Sequence, residues 1–135
     1  VADLKGRCAV VVGVHADDMG MIDRLMLPAD SPFHLMFDDY DADQLLLILK
    51  KILERESLKL DQQASDHMAA YIMEMKRANT YGLASARTMK YLSNMIYDKY
   101  LFRMSQSKDS QAGVVTIEDV DEFIWQSPAR KTIGF

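Results

Sequence analysis

The sequence predicts a mostly α-helical protein in which a helical bundle follows one or two short strands. From residue 41 to about residue 104, apolar side chains recur at the spacing of amphipathic helices in three successive segments. Before residue 40, apolar residues instead form short runs bounded by acids, glycine and proline, which is typical of strands. These two patterns give the fold class.

Length and composition limit the class of protein further. The chain of 135 residues is one domain long and has a net charge of −4, with 16 basic and 20 acidic residues. The charges are well mixed, so no basic run predicts binding to nucleic acid or to a membrane surface. No window approaches the apolar length of a membrane span, and the single cysteine, Cys8, fits a reducing compartment. We therefore expect a cytoplasmic protein.

The N-terminal segment predicts two strands. Cys8–Val14 reads CAVVVGV, a β-branched run typical of a strand covered on both faces. Phe33–Phe37 predicts a second short strand, and residues 15–26 predict a helix between the two. Two short strands do not make a stable sheet unaided. Because the chain also begins with Val1 rather than Met, we expect this segment to be the end of a larger α/β domain.

Three helices are predicted from N-cap signals and apolar stripes. Asp41 and Gln44 form a capping-box pattern before the first helix, Asp61 is a cap for the second, and Ser85 for the third. The inward-facing residues recur at helical spacing within each helix, which predicts one shared core. They are Leu45, Ile48, Leu49 and Ile52, with Leu46, Leu47 and Leu53 widening that stripe, then Ala64, Met68, Tyr71, Ile72 and Met75, then Met89, Leu92, Ile96 and Tyr100.

The C-terminal segment predicts an extended stretch and a short closing helix. Val114–Thr116 is apolar and β-branched, so we expect it to be extended. Thr116 and Asp119 form a second capping-box pattern before a helix that runs on to Ile124. Phe123 and Trp125 are expected to seal the bundle rather than to bind a ligand.

The start of the third predicted helix carries the candidate site. Arg87 falls in the first turn, where a cation opposes the helix macrodipole and costs about 0.3–1 kcal/mol unless an anion is close. A phosphate would reverse that sign, because free amides attract it and the guanidinium adds two donors and a full charge. Ser85, Arg87 and Lys90 are therefore the candidate ligand-binding residues. The alternative is that Arg87, Lys90 and Asn94 are only the solvated side of the helix.

Other polar residues are better explained by structural roles. His15, Asp17 and Asp18 lack the spacing that places ligands on one face of a helix, so no metal site is predicted. Asp66 and His67 are adjacent and point to different sides of their helix, which argues against an acid–base pair. No catalytic residue is predicted.

Taken together, the segments resemble the C-terminal part of an AAA+ ATPase, closest to the group of the red-type rubisco activase CbbX and stage V sporulation protein K. FDDYDADQLLLIL, residues 37–49, is similar to that group's Phe-Pro-Asp-Tyr turn and first lid helix. Leu83–Arg87 resembles its Gly-Asn-Ala-Arg sensor 2 signature, which aligns Ser85 with the capping Asn and Arg87 with the sensor arginine. Val115–Val120 (VTIEDV) resembles the closing Ile-Thr-x-Glu-Asp segment.

The resemblance implies a domain organisation and a function. Residues 1–39 would end a truncated α/β nucleotide-binding domain, residues 40–127 would form a helical AAA+ lid, and residues 128–135 a tail. The resemblance implies that Arg87 senses ATP bound mainly by a region absent from this chain, with Mg²⁺ only in the parent protein. It also implies a chaperone-like homo-oligomer that couples ATP binding and hydrolysis to remodelling of a partner protein.

Departures from the family pattern limit these expectations. The sequence has no G-x-x-x-x-G-K-[ST] motif and no apolar strand ending in paired acids, so we expect no ATP hydrolysis from this chain alone. Residues 28–34, PADSPFH, contain no arginine where the resemblance places arginine fingers, which fits a degenerate paralogue. The alternative function is a free-standing, non-catalytic helical module whose Met-rich faces bind a protein partner.

Overall fold

The computed structural model describes residues 6, 9, 11–15, 20, 35–78, 82–107 and 111–126. The chain divides into two units, Val1–Phe37 and Asp38–Phe135. The described residues of the second unit form a mostly helical fold with one small sheet, which confirms the predicted fold class. Its elements are α1 (Ala42–Arg55), β1 (Lys59–Leu60), α2 (Gln62–Ala78), α3 (Ala86–Gln106), β2 (Val114–Val115) and a 3₁₀ helix (Ile117–Asp119).

The two strands predicted in the first unit are absent from their described residues. Residues 11–14 and 35–37 have no strand structure. A strand exists only where its backbone pairs with a neighbouring strand, and no described segment pairs with either run. The strand prediction is therefore wrong at these positions, because an apolar run signals burial without supplying a partner. Of the remaining residues of the two runs, Ala9 is described and is not in a strand, whereas residues 8, 10, 33 and 34 lie outside the described residues. The predicted helix over residues 15–26 also lies outside them, apart from His15 and Gly20.

Helix α1 begins and ends with complete capping motifs. Asp41 Oδ1 accepts a hydrogen bond from the Gln44 amide at 2.8 Å, and Gln44 Oε1 accepts one from the Asp41 amide at 2.9 Å, as the capping-box pattern predicts. After the helix, Ser57 has a φ of 59°, and the Leu58 amide donates to the Leu53 carbonyl at 3.0 Å. This is a Schellman turn with serine at the position that glycine usually occupies. It turns the chain back and buries Leu58.

A two-stranded parallel sheet joins the segments that follow α1 and α3. Lys59 pairs with Val114 and Leu60 with Val115. The Lys59 amide donates to the Gly113 carbonyl at 2.9 Å, and the Asp61 amide donates to the Val115 carbonyl at 2.9 Å. Strands this short leave no periodic signal in a sequence. The sequence analysis predicts the extended stretch at residues 114–116 but no strand at residues 59–60, where β1 pairs with it.

The core lies between the three helices, and α1 packs against both α2 and α3. The stripes predicted on α2 and α3 are confirmed, with Tyr71 half-buried and the other members buried. On α1, Leu45, Leu49 and Leu53 are buried and Leu46, Ile48 and Ile52 are half-buried. The prediction is wrong for Leu47, which is 52% exposed because it lies on the opposite side of the helix from the buried residues. The buried apolar residues of the described part are Leu45, Leu49, Leu53, Leu58, Ala64, Met68, Ile72, Met75, Met89, Leu92, Ile96, Tyr100, Val115, Val120 and Phe123.

The closing helix is shorter than predicted. A 3₁₀ helix covers only Ile117–Asp119, and residues 123 and 124 follow it without regular structure. The carboxylate side of the predicted capping box is present, since Asp119 Oδ2 accepts from the Thr116 amide at 3.0 Å. The Thr116 hydroxyl, in contrast, is buried without a hydrogen-bond partner in the described structure. The same Asp119 carboxylate also accepts two hydrogen bonds from Arg103 of α3.

Candidate functional site

The start of α3 is built around Ser85, which is the N-cap that the sequence predicts. Ser85 has an extended backbone, with φ −134° and ψ 163°, and its Oγ accepts a hydrogen bond from the Thr88 amide at 3.3 Å. The Ser85 Oγ also lies 3.2 Å from the Thr88 hydroxyl. Its carbonyl accepts the first helical bond, from the Met89 amide at 3.1 Å. These contacts fix where the helix begins and engage the Ser85 side chain.

The positive end of the α3 macrodipole has no acidic residue in the helix's own first turn to offset it. The amides of Ala86 and Arg87 have no acceptor among the described residues. The first turn of α3 contains no acidic residue, unlike that of α1, which contains Asp43. Free amides and an uncompensated dipole make this helix start favourable for an anion.

Arg87 adds a full positive charge at the same place. Its side chain is exposed and has no hydrogen bond or ion pair with any described residue. Arg77 at the end of α2, in contrast, is paired with Glu74 at 2.9 Å. Lys90 is also exposed and lies three residues after Arg87, so the two cations are on the same side of α3. Of the three predicted site residues, the fold therefore places Arg87 and Lys90 together and uses the Ser85 hydroxyl to cap the helix.

Asp66 and His67, which are adjacent on α2, have separate hydrogen-bond partners. His67 Nε2 lies 2.9 Å from the Phe123 carbonyl, so that nitrogen carries the proton and donates. Asp66 Oδ1 instead accepts from Gln62 Nε2 at 2.8 Å. Asp17 and Asp18 lie outside the described residues. Among the described residues, no three His, Cys, Asp or Glu side chains come together in a way that could hold a metal ion.

A buried ion pair, which the sequence analysis missed, ties the end of α3 to the C-terminal segment. Arg103 donates from Nε to Asp119 Oδ1 at 2.8 Å and from Nη2 to Asp119 Oδ2 at 2.9 Å. Arg103 Nη2 also donates to the Val114 carbonyl at 2.8 Å. The Asp119 side chain is only 1% exposed and that of Arg103 is 15% exposed. The hydrogen bond to Asp119 is the main reason that the pKa of Arg103 is raised above its ordinary value.

The surroundings of Arg103 complete this polar cluster, which we call the α3 clamp: Tyr100, Arg103, Gly113, Val114, Thr116 and Asp119. The Gly113 amide donates to the Tyr100 hydroxyl at 2.8 Å, and the guanidinium lies 5.6 Å from the centre of the Tyr100 ring. In the sequence the clamp is visible only as a cation in the last turn of a helix and an acid 16 residues later, which is a weak signal. Their pairing depends on how the chain returns after α3.

Aromatic rings close the side of the bundle formed by α2. The Tyr71 ring meets the Phe123 ring edge-on at 5.7 Å between centroids, and the Trp125 ring at 6.1 Å. Burial raises the pKa of Tyr71 above its ordinary value. The sequence prediction that Phe123 and Trp125 seal the bundle is therefore confirmed.

No helix in the described part of the chain is both long and apolar enough to cross a membrane.

Comparison with known proteins assigns the helical unit. Residues 41–131 match a family model described as an AAA lid domain, and this match covers most of the chain. No curated protein and no solved structure matches the chain. The matched range contains all three helices, both strands and the α3 clamp.

Proposed function

Because this chain belongs to the AAA lid domain family, we propose that it works as the lid of an AAA+ ATPase in which Arg87 senses the phosphates of bound ATP. The observation that carries the proposal is an exposed guanidinium, unpaired within the described structure, in the first turn of a helix that has no acid there. The similarity of Leu83–Arg87 to a sensor 2 signature supports the same role, and it also supports membership of the CbbX and stage V sporulation protein K group.

A phosphate fits the groups at the start of α3. The Arg87 guanidinium offers two parallel donors, the amides of Ala86 and Arg87 are unused in the described structure, and Lys90 adds a second cation. Ser85 contributes by fixing the helix start, because its hydroxyl is engaged with Thr88. ATP would be held mainly by a nucleotide-binding domain, with Mg²⁺, and would supply the anion. An approaching phosphate would turn an unfavourable charge arrangement into a favourable one.

The rigidity of α3 allows a contact at Arg87 to move the whole lid. The helix has 21 residues and is therefore about 31 Å long. The α3 clamp fixes its far end to β2 and the 3₁₀ helix, and α1 packs along it. Force applied at Arg87 would thus carry the C-terminal segment and α1 with it. In a homo-oligomeric ring, that motion would reach a neighbouring subunit and couple ATP binding and hydrolysis to remodelling of a protein substrate.

The test replaces Arg87 by alanine in the ATPase that contains this lid together with its nucleotide-binding domain. Losing one charged phosphate contact costs about 1.5–3 kcal/mol, so we expect ATP to bind about 10- to 100-fold more weakly, with altered turnover. Arg55→Ala is the matched control, because Arg55 is exposed at the end of α1, far along the chain from the α3 start. Unchanged ATP affinity and turnover in Arg87→Ala would refute the sensor role.

A stability measurement on the chain alone separates this effect from damage to the fold. Arg87 opposes the α3 dipole, so Arg87→Ala should leave the free energy of unfolding unchanged or raise it by about 0.3–1 kcal/mol. Urea unfolding followed by circular dichroism measures this difference. A variant that is as stable as the wild type but binds ATP weakly has lost a contact with nucleotide. A destabilised variant would mean that Arg87 has a structural role that the proposal does not include.

A further inference from the structure

Helix α3 carries apolar residues on two opposite faces. One face, with Met89, Leu92, Ile96 and Tyr100, is buried in the core. The other face we call the outer face, and it consists of Arg87, Tyr91, Met95, Asp98 and Phe102, which recur at helical spacing. Its apolar members remain accessible: Tyr91 is 65% exposed, Met95 39% and Phe102 66%.

The outer face differs from the scattered apolar residues found on any protein surface. The exposed apolar residues of α1 and α2, Leu47 and Met73, are single positions on otherwise polar faces. On the outer face two aromatic rings and a methionine form one stripe along three turns of the helix. Contiguous exposed stripes of this kind mark surfaces that bind another protein.

The charges on the outer face identify the occupant as a second copy of this chain. Arg87 and Asp98 are both exposed, and neither has a hydrogen-bond or ion-pair partner in the described structure. If two α3 helices lie antiparallel, Arg87 of each copy is level with Asp98 of the other when the midpoint falls between residues 92 and 93. A two-fold axis then forms this ion pair twice. A parallel arrangement would instead place like charges side by side, which is unfavourable.

The same register also matches the apolar residues of the two copies. Phe102 of one copy then lies just beyond Ala86, the first residue of the other copy's helix, toward the preceding segment in which Leu83 is 48% exposed. Tyr91 and Met95 lie nearest the two-fold axis. In this register, Tyr91 of one copy is within one residue of the level of Met95 of the other. The outer face is thus self-complementary in charge and in apolar surface. We propose that two copies of this chain associate through their outer faces as an antiparallel, symmetric pair of α3 helices.

The pair is weak and sensitive to salt, since it uses one helix face and two exposed ion pairs. Interfaces below about 1,200 Å² belong to transient complexes, and exposed ion pairs are screened as ionic strength rises. The inference goes beyond the proposed nucleotide role, although Arg87 takes part in both. A phosphate at Arg87 and Asp98 of a second copy would compete for the same guanidinium.

Sedimentation velocity on the full chain tests the proposal at low ionic strength, with protein concentration raised to about 1 mM, the range of the weakest specific complexes. We expect a concentration-dependent dimer that dissociates on addition of salt. Asp98→Arg should weaken association at least about tenfold, because it places two arginines together. The double variant Arg87→Asp, Asp98→Arg restores opposite charges and should recover the dimer. Glu54→Arg makes the same change of charge at an exposed position of α1 and should leave association unchanged.

Three results would overturn the proposal. They are a wild-type chain that stays monomeric throughout, an Asp98→Arg variant that associates like the wild type, or a charge-swapped double variant that stays monomeric. A monomeric wild type would leave the outer face to a different protein. Because Asp98 is not part of the proposed contact with nucleotide, Asp98→Arg tests association without testing the sensor role of Arg87. Circular dichroism of each variant confirms that the helical fold is retained.

Discussion

Replacing Asp119 by alanine tests the α3 clamp most directly. The variant leaves the Arg103 guanidinium without its carboxylate in a largely buried position, and it leaves the Thr116 amide without its acceptor. Removing one partner of a buried ion pair costs about 3–5 kcal/mol, because the remaining charge loses its compensation. Arg103 retains some exposure and keeps its bond to the Val114 carbonyl, so we expect the lower end, about 3 kcal/mol. That is a large part of the stability of a typical domain, about 5–15 kcal/mol.

Urea unfolding followed by circular dichroism measures this loss, and the chain offers a matched exposed pair. Lys99 Nζ lies 2.6 Å from Glu122 Oε1, with side chains 42% and 71% exposed. Glu122→Ala removes the acid of that pair and should cost at most about 1 kcal/mol, because water screens exposed charges. A double-mutant cycle with Arg103→Met separates the interaction energy from packing effects. The reasoning is refuted if Asp119→Ala costs no more than Glu122→Ala, or if the cycle gives no coupling between Arg103 and Asp119.

Three further predictions concern Ser57 in the turn after α1, Gly113 before β2 and the pH dependence of stability. Ser57→Gly should raise the free energy of unfolding by about 1 kcal/mol, because Ser57 has a φ of 59° that glycine adopts without strain. Gly113→Ala should lower it by about 1–2 kcal/mol, because Gly113 has a φ of 79° and an added Cβ would lie 3.1 Å from the Ser57 carbonyl oxygen; urea unfolding of both variants checks the signs. Burial raises the pKa of Tyr71, so the unfolded tyrosine ionises first and stability should fall as the pH rises through about 10. Unfolding experiments across that range should show a smaller fall for Tyr71→Phe, and an equal fall would contradict the assignment.

The unpaired arginine at the start of α3 and the paired arginine at its end illustrate two uses of the same side chain. Arg103 is nearly buried and satisfies a carboxylate and a carbonyl, so it stabilises the fold. Arg87 is exposed, opposes the helix dipole and has no compensating contact in the described structure. A cation at the start of a helix that no contact within the fold compensates is a candidate for binding an external partner. Both proposals for Arg87, a phosphate and a second copy of the chain, follow from that lack of compensation.

The helical bundle could be predicted from the sequence because its signals are local. Asp41 with Gln44, Asp61 and Ser85 cap the three helices as predicted, and each bond joins residues three apart in the chain. The stripes of α2 and α3 are equally local, since helical spacing decides which side chains share a face. The position of Arg87 in the first turn of α3 follows from Ser85 in the same way. What the arginine binds stays a prediction.

Tertiary structure alone decided the contacts between residues far apart in the sequence. The pairing of β1 with β2, the bond from His67 to the Phe123 carbonyl and the ion pair of Arg103 with Asp119 all depend on where the chain returns after a helix. In the first unit the apolar runs predicted strands, yet residues 11–14 and 35–37 are not in strands. The physical reason is common to these cases. A helix satisfies its backbone within one segment, whereas a strand or a buried ion pair needs a distant partner that periodicity does not encode.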